Sequence, residues 1–295
     1  MNEKVVPTER FEEHRAHLRA VAYRMLGSIS EAEDAVQEAW LRYDRTDTSE
    51  VENLGGWLTT VVGRVCLNLL RSREQRREDP LETRIPDPIL GREGVIDPEQ
   101  EVLLADSVGL ALMVVLAELS PAERVAFVLH DMFAVPFEEI APLVEKTAAA
   151  TRQLASRARR KVQGQAPAPD RDLARQRVAV DAFFAATRTG DLDALLAVLD
   201  PDVVLRSDGG ALRARQNVVL TGAATVAGQA VMFRSLAPFV RPALINGAAG
   251  VVAFGANGKP VSIMAFTVVD GTIVAIDVLI DPERLAGLDL TAFGA

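Results

Sequence analysis

Phe11, His14, Leu18, Val21, Ala22, Met25 and Leu26 recur at the helical period and predict a first helix that Gly27 ends. Ser30 followed by Glu33 reads as a capping box opening a second helix. Its apolar stripe is Ala32, Ala35, Val36, Ala39, Trp40 and Tyr43, and Asp34, Gln37, Glu38 and Arg42 fall on the other face with Leu41 beside them. The polar stretch 44–56 reads as a loop. A third helix is expected over 57–76, with Leu58, Val61, Val62, Val65 and Leu69 as its core stripe. Thr60, Arg64, Asn68 and Arg71 fall in a narrow arc on its other face.

Residues 78–97 are rich in proline, glycine and acids and read as a linker. Asp97 as N-cap with Pro98 at the first helical position predicts another helix. Ser120 and Glu123 form a second capping-box pattern before the apolar positions Val125, Val128, Leu129 and Met132. Phe137, Ile140, Ala141 and Val144 then repeat at helical spacing, and after a short break so do Thr151, Leu154, Ala155, Ala158 and Val162. Two helices joined by so short a turn predict a helix-turn-helix. Its second helix exposes Arg152, Gln153, Ser156, Arg157, Arg159 and Arg160.

Residues 163–169, QGQAPAP, form a second linker, and the texture changes beyond it. Residues 172–199 predict two helices separated at Gly190-Asp191, and a further helix is expected over 221–236. Val203 to Leu205 is apolar and β-branched; from Val251 the pattern is strand and turn, with hairpin turns at Asn257-Gly258 and Asp270-Gly271. This third unit reads as a small α+β domain with an antiparallel sheet.

Composition narrows the functional classes. The chain has 295 residues, 49% hydrophobic and 25% charged, which fits two or three globular domains and excludes disorder as a whole-chain description. No apolar run reaches the length of a spanning helix, and the charged first residues lack a signal core, so a cytoplasmic protein without membrane contact is expected. With Cys66 as the single cysteine and His14, His17 and His130 as the only histidines, an internal disulfide and a Cys/His zinc site are excluded; no metal and no cofactor are expected.

The net charge of −9 argues against nucleic acid until its distribution is considered. Five arginines stand against one acid between Arg64 and Arg77, and five basic residues against none between Arg152 and Lys161. A charge run is ordinarily a solvated helix face, but two such runs on two predicted helices favour a phosphate partner. Arg152, Gln153, Ser156 and Arg157 at the start of the second helix of the helix-turn-helix suit base edges, and Arg159, Arg160 and Lys161 suit phosphates. Trp57 lies near the arc of Thr60, Arg64, Asn68 and Arg71, where it either stacks on an unpaired base or packs against the first helices.

Three segments carry a family resemblance. "SEAEDAVQEAWLRYD", "GGWLTTVVGRVCLNLLRSR" and "LSPAERVAFVLHDMFAVPFEEIAPLVEKTAAATRQLASRARRKV" resemble, in order, regions 2 and 4 of bacterial extracytoplasmic-function sigma factors. "RTGDLDALLAVLDPDVVLRSDGG" resembles the start of SnoaL-like domains of the NTF2-like cone fold, and a sigma factor with that extension resembles the sigma-J-like group. The linker "RIPDPIL" and the tail "IDPERLAGL" resemble short motifs of that group, with Ile85 and Asp281 as departures. The resemblance implies a multidomain fold: two all-α sigma domains, a region 2 helical bundle (1–77) and a region 4 helix-turn-helix (98–163), plus an α+β cone domain (171–295). Linkers at 78–97 and 164–170 join them.

The same resemblance implies roles. Asp34, Ala35, Val36, Gln37, Glu38 and Leu41 match the segment that docks on core RNA polymerase, at the β′ clamp helices, with the β subunit as a further partner. Trp57, Thr60, Arg64, Asn68 and Arg71 match the part that reads and opens the minus-10 promoter element. Thr151, Arg152, Gln153, Ser156, Arg157 and Arg160 match the helix-turn-helix that reads the minus-35 element. The chain is then not an enzyme, and an intramolecular contact of the SnoaL-like domain with the sigma domains would control it. Residues 1–165 are themselves net −7, so weak affinity of the free protein for DNA is expected.

Two rivals remain on the residues alone. A ligand-responsive helix-turn-helix transcription regulator explains 105–295 but leaves 30–76 without purpose. A SnoaL-like cyclase or isomerase needs a base and an oxyanion donor. Beyond residue 165 there is no His, Tyr, Trp or Cys, so Asp202, Asp208 and Asp277 are left as bases and Arg206 or Asn246 as donors.

Overall fold

The computed structural model describes residues 7–49, 51–76, 84–92, 94, 109–165, 169–288, 290 and 293. The helix expected from Asp97-Pro98 and much of the two linkers lie outside these residues. Contacts divide the chain into two units, one of 1–79, 98–105 and 115–165, the other of 80–97, 106–114 and 166–295.

The first unit opens with α1 (Pro7–Leu26), α2 (Ile29–Asp44) and α3 (Leu54–Arg76). Their apolar stripes meet in a core that includes Phe11, Leu18, Met25, Ala39, Leu58 and Val62. Gly27, at φ +68°, ends α1. The expected Ser30 capping box does not form: α2 begins two residues earlier, with Ser28 as N-cap and its hydroxyl turned to Ser30 instead. Within the stretch read as a loop, α3 already begins at Leu54, because the Asn53 Oδ1 accepts the Gly56 N–H at 3.0 Å and caps the helix. This places Trp57 in its first turn.

The same unit contains α5 (Pro121–Phe127), which runs into a π-turn over Val128–Met132, then α6 (Phe137–Ile140) and α7 (Ala148–Gln165); α4 spans Leu110–Ala117. At Ser120 the capping box is half made, since its hydroxyl donates to Glu123 Oε2 at 2.8 Å and caps no backbone N–H. The helix expected to run through Val144 ends at Ile140, followed by turns through Pro142 to Glu145, whose φ is +56°.

Inside this unit the α1–α3 bundle packs against the α5–α7 helices. A Cβ on Gly63 of α3 would come within 3.1 Å of Leu129, so glycine sets the close approach. Arg124 of α5 is buried and donates from Nη1 to the Met25 carbonyl at 2.8 Å, and burial beside Arg73 pushes its pKa down to about 9. Arg73 donates to the Leu26 carbonyl and pairs with Glu31, and Arg24 lies 4.8 Å over the Phe133 ring.

In the second unit, α8 (Leu173–Thr189) is capped by Asp172 and ended by Gly190, and α9 (Leu192–Val198) is capped by Asp191. The remaining elements are β2 (Leu199–Asp208), β3 (Val218–Thr221), α10 (Ala223–Met232), β4 (Val240–Ile245), β5 (Ala248–Phe254), β6 (Pro260–Val269), β7 (Thr272–Leu279) and α11 (Pro282–Ala286). With a two-residue β1 (Leu90–Gly91), they make one sheet of order β1-β4-β5-β6-β7-β2-β3. The sheet is mixed, not antiparallel as expected: β2 lies parallel to β7, with Leu205 beside Ile276. No hairpin joins these two strands, so turn signals do not set their relative direction. One hairpin escapes the sequence reading although it carries the same signal as the two that were read: Asn246-Gly247, at φ +50° and +77°, turns β4 into β5. The helices cover the inner sheet face around Phe183, Phe184 and Phe266, whose rings meet edge to face.

Candidate nucleic-acid interface

On α2, Asp34, Gln37 and Leu41 are exposed and Glu38 is half-buried beside Arg42, from which it accepts a hydrogen bond at 3.0 Å. Ala35 and Val36 are not surface residues: both are buried at 1% exposure in the three-helix core. The helical period turns them inward, so they hold the helix while their neighbours face solvent.

On α3, Arg64 and Asn68 are exposed, and Trp57 and Thr60 are half-buried. Trp57 rests against Tyr43, with ring centroids 6.4 Å apart. Together with Thr60 and Arg64 it lines a recess of about 420 Å³ whose other walls are Arg42, Arg45, Thr46 and Val61. An aromatic wall beside three guanidinium groups suits a base drawn out of its stack and the phosphates flanking it. Arg42 and Arg45 are absent from the sequence-derived set. The signal for Arg42 is its place on the polar face of α2; for Arg45 no periodic signal exists, because it follows the helix end.

Arg71 does not stand in the open arc. Its guanidinium donates to Glu145 Oε1 at 2.9 Å, joining the α3 surface to the turn before α7. That hydrogen bond holds the Glu145 carboxyl below the usual carboxylate range.

On α7, Arg152, Gln153, Ser156, Arg157 and Arg160 are exposed on one face, as expected. Thr151 is the exception. It has 0% exposure and its hydroxyl donates to the Thr147 backbone carbonyl at 3.0 Å, so it locks the first turn of α7 and offers nothing to a ligand. Arg152 lies 5.1 Å over the Phe137 ring, Arg157 donates to Glu123 at 2.9 Å, and Arg159 pairs with Asp131. Burial raises the Glu123 pKa, but hydrogen bonds from Arg157 and Ser120 outweigh it and leave the group below its ordinary value. Ion pairs this exposed contribute little, so their arginines can be turned to phosphates at small cost.

The second unit holds a site of another kind. Linker residues 84–91 are not free chain. The Ile85 N–H donates to Asp208 Oδ2 at 2.9 Å. The Ile89 N–H donates to Asn246 Oδ1 at 3.0 Å, and its carbonyl accepts the Asn246 N–H at 2.8 Å. Leu90 and Gly91 then pair with Ile245 and Leu244 as an edge strand. Arg284 of α11 closes the clamp, donating to Asp87 Oδ1 at 2.7 Å, to the Ile85 carbonyl at 2.6 Å and to Asp208 Oδ2 at 2.7 Å. Asp281 caps α11 through the Glu283 N–H and so aims Arg284. Gly210 is required here, because at φ +60° a Cβ would meet Asp281 Oδ2 at 2.1 Å. Ile85 and Ile89 are buried at 1% and 4% exposure.

The five candidates for enzyme chemistry are thereby placed. Asp208 and Asn246 hold the linker; Asp277, fully buried, faces Arg206 at 3.5 Å, and burial pushes its pKa up to about 6; Asp202 is exposed. Among the described residues no three His, Cys, Asp or Glu side chains are grouped to hold a metal ion, and no helix is long and apolar enough to cross a membrane.

The two basic faces belong to two family models: Sigma-70 region 2 matches residues 10–77, and Sigma-70 region 4 matches residues 109–162. Each model covers one of the two helical parts of a sigma factor. Among the chain's relatives is the ECF RNA polymerase sigma factor SigJ of Mycobacterium tuberculosis, 39% identical over 95% of this chain and 93% of the relative. The probable ECF RNA polymerase sigma factor SigI of the same species is also 39% identical, over 92% of each chain. The crystal structure of M. tuberculosis SigJ superposes with a TM-score of 0.79 at 36% identity, covering 96% of this chain and 99% of that one. The chain belongs to the extracytoplasmic-function RNA polymerase sigma factors, and its mixed-sheet C-terminal domain is shared with SigJ.

Proposed function

We propose that this sigma factor binds core RNA polymerase through the exposed face of α2, opens the minus-10 element at the Trp57 recess, reads the minus-35 element with α7, and is held inactive by its own linker clamp. Core polymerase carries the catalysis, so the chain supplies contacts and no reacting group. Asp34, Gln37, Glu38 and Leu41 present an acidic and amide surface with an apolar centre, which fits a basic helical partner. In the recess, stacking on Trp57 offsets part of the few kcal/mol that unstacking one base costs.

Regulation follows from size. Elements at −35 and −10 lie about 25 base pairs apart, or about 85 Å along B-form DNA. A compact unit of about 165 residues measures about 40 Å across. The α1–α3 and α5–α7 parts are joined by Arg71–Glu145, Arg124–Met25 and the Gly63–Leu129 approach, so they cannot reach both elements without separating. The segment between them must then pay out as extended chain, yet residues 84–91 are bound to the C-terminal sheet. The observation that carries this reading is Arg284 gripping Asp87, Ile85 and Asp208 together. It is tested by deleting residues 166–295 and measuring promoter-specific transcription with core polymerase. The reading expects the deletion to raise promoter-specific activity; unchanged or lower activity of the truncated chain would sink it.

A further inference from the structure

The C-terminal domain contains a second site that the linker clamp does not use. Between the inner sheet face and the helices lies a cavity of about 310 Å³. That is on the order of ten water molecules' share of liquid volume and within the range of small-molecule sites. Phe183 and Phe184 of α8 wall one side, Phe233 and Leu236 the mouth, and Met264 and Val278 the sheet floor. Thr187, Gln216 and Gln229 add polar groups to this mostly apolar lining, and Ser207 and Ser262 are buried in it at 9% and 6% exposure, on strands whose neighbours also face the cavity. At the rim, Arg213 is half-buried and anchored by donating to the Ile280 carbonyl at 3.0 Å, and Arg215 is exposed beside it. The lining has two arginines and neither a carboxylate nor a histidine.

We propose that this cavity binds a small planar apolar molecule carrying one carboxylate or similar anionic group. The ring system lies among Phe183, Phe184, Phe233 and Met264, where aromatic edges and the methionine sulfur favour a flat apolar body. The anionic end lies toward Arg213 and Arg215, whose planar donor forks match a carboxylate. Ser207 and Ser262 supply hydroxyls for a second polar substituent. With no base or acid in the lining, the bound molecule is held and not converted. The site also touches the regulatory machinery by adjacency along the chain: Ser207 precedes Asp208, and Ile280 precedes Asp281.

The test is calorimetric titration of the full chain with 2-naphthoate, and with 2-naphthol as its uncharged counterpart. Saturable one-to-one binding of 2-naphthoate is expected, at least tenfold tighter than 2-naphthol. Arg215→Ala, an exposed change that leaves the core untouched, is expected to erase most of that preference. Ala230→Trp and Val261→Trp fill the cavity from a helix and from the sheet, and each is expected to abolish binding while far-UV circular dichroism stays native. Two separate fillings keep the test valid should one variant fail to fold. Absence of binding to the wild-type chain, equal binding of the two probes, or binding that survives a folded filling variant would each overturn the proposal. None of these outcomes depends on transcription, so the site and the sigma mechanism stand or fall separately.

Discussion

Arg152 and Thr151 are neighbours on α7, yet only one faces outward, and the difference sets their expected mutational effects. Arg152→Ala removes an exposed donor that stands over Phe137 and is expected to weaken minus-35 binding by tenfold or more in a holoenzyme footprint, about 1–3 kcal/mol. Thr151→Val leaves the promoter footprint intact and removes a buried hydroxyl bonded to the Thr147 backbone; its effect is a loss of roughly 1 kcal/mol in thermal unfolding. Asp277 offers a pH test with a defined sign. Its folded pKa of about 6 exceeds the ordinary carboxylate value, so the folded state binds more protons than the unfolded state between about 4 and 6. Stability contributed at this site is therefore greatest at low pH and falls as pH rises through that window, by on the order of 3 kcal/mol. Asp277→Asn should flatten that part of a stability–pH profile; an unchanged slope would show that another group titrates there. At this scale helical period alone decides the facing of Arg64, Asn68 and Arg157, which are exposed as expected. Motif position without period does not decide facing: the resemblance singles out Ala35, Val36 and Thr151, but they carry apolar or back-bonded side chains on inward faces.

The elements show where local signals end. Helices and hairpins were legible, because caps, glycines and periodicity are short-range. The linker was not. Its prolines, glycines and acids read as free chain, yet each partner that holds it lies more than 100 residues away: Asp208, Asn246 and Arg284. The motifs around Ile85 and Asp281 were noticed as a resemblance, but nothing in either stretch states that they bind one another. The parallel pairing of β2 with β7 was hidden for the same reason. Two predictions belong here. Arg284→Ala leaves Asp208 and Asp87 without their shared cation; the expected result is faster amide exchange at Ile85 and Ile89, by roughly tenfold or more, with the α3 amides unaffected. Slow exchange retained in the variant would mean that edge pairing at Leu90 alone holds the segment. Glu145→Lys breaks the tie to Arg71 and places a repelling cation beside it. It should free Arg71 for phosphate and raise promoter occupancy by the holoenzyme, whereas an occupancy below wild type would assign Glu145 a direct role in binding.

For the whole molecule, two features work together. One is the acidic balance, −9 overall, from which weak DNA binding by the free chain is expected. The other is the pair of joined helical parts, whose contact includes a buried Arg124 at a desolvation cost that separation would relieve. On the proposed function, such an assembly acts as a two-state element biased by what its linker touches. The measurement that bears most directly on the account is reconstituted transcription with core RNA polymerase on genomic fragments, comparing wild type, Asn68→Ala, Arg152→Ala and Arg284→Ala. The account predicts specific start sites that are lost with Asn68→Ala and Arg152→Ala and strengthened with Arg284→Ala. Failure of the wild type and of the Arg284→Ala variant to bind core polymerase, or start sites indifferent to Asn68 and Arg152, would contradict it.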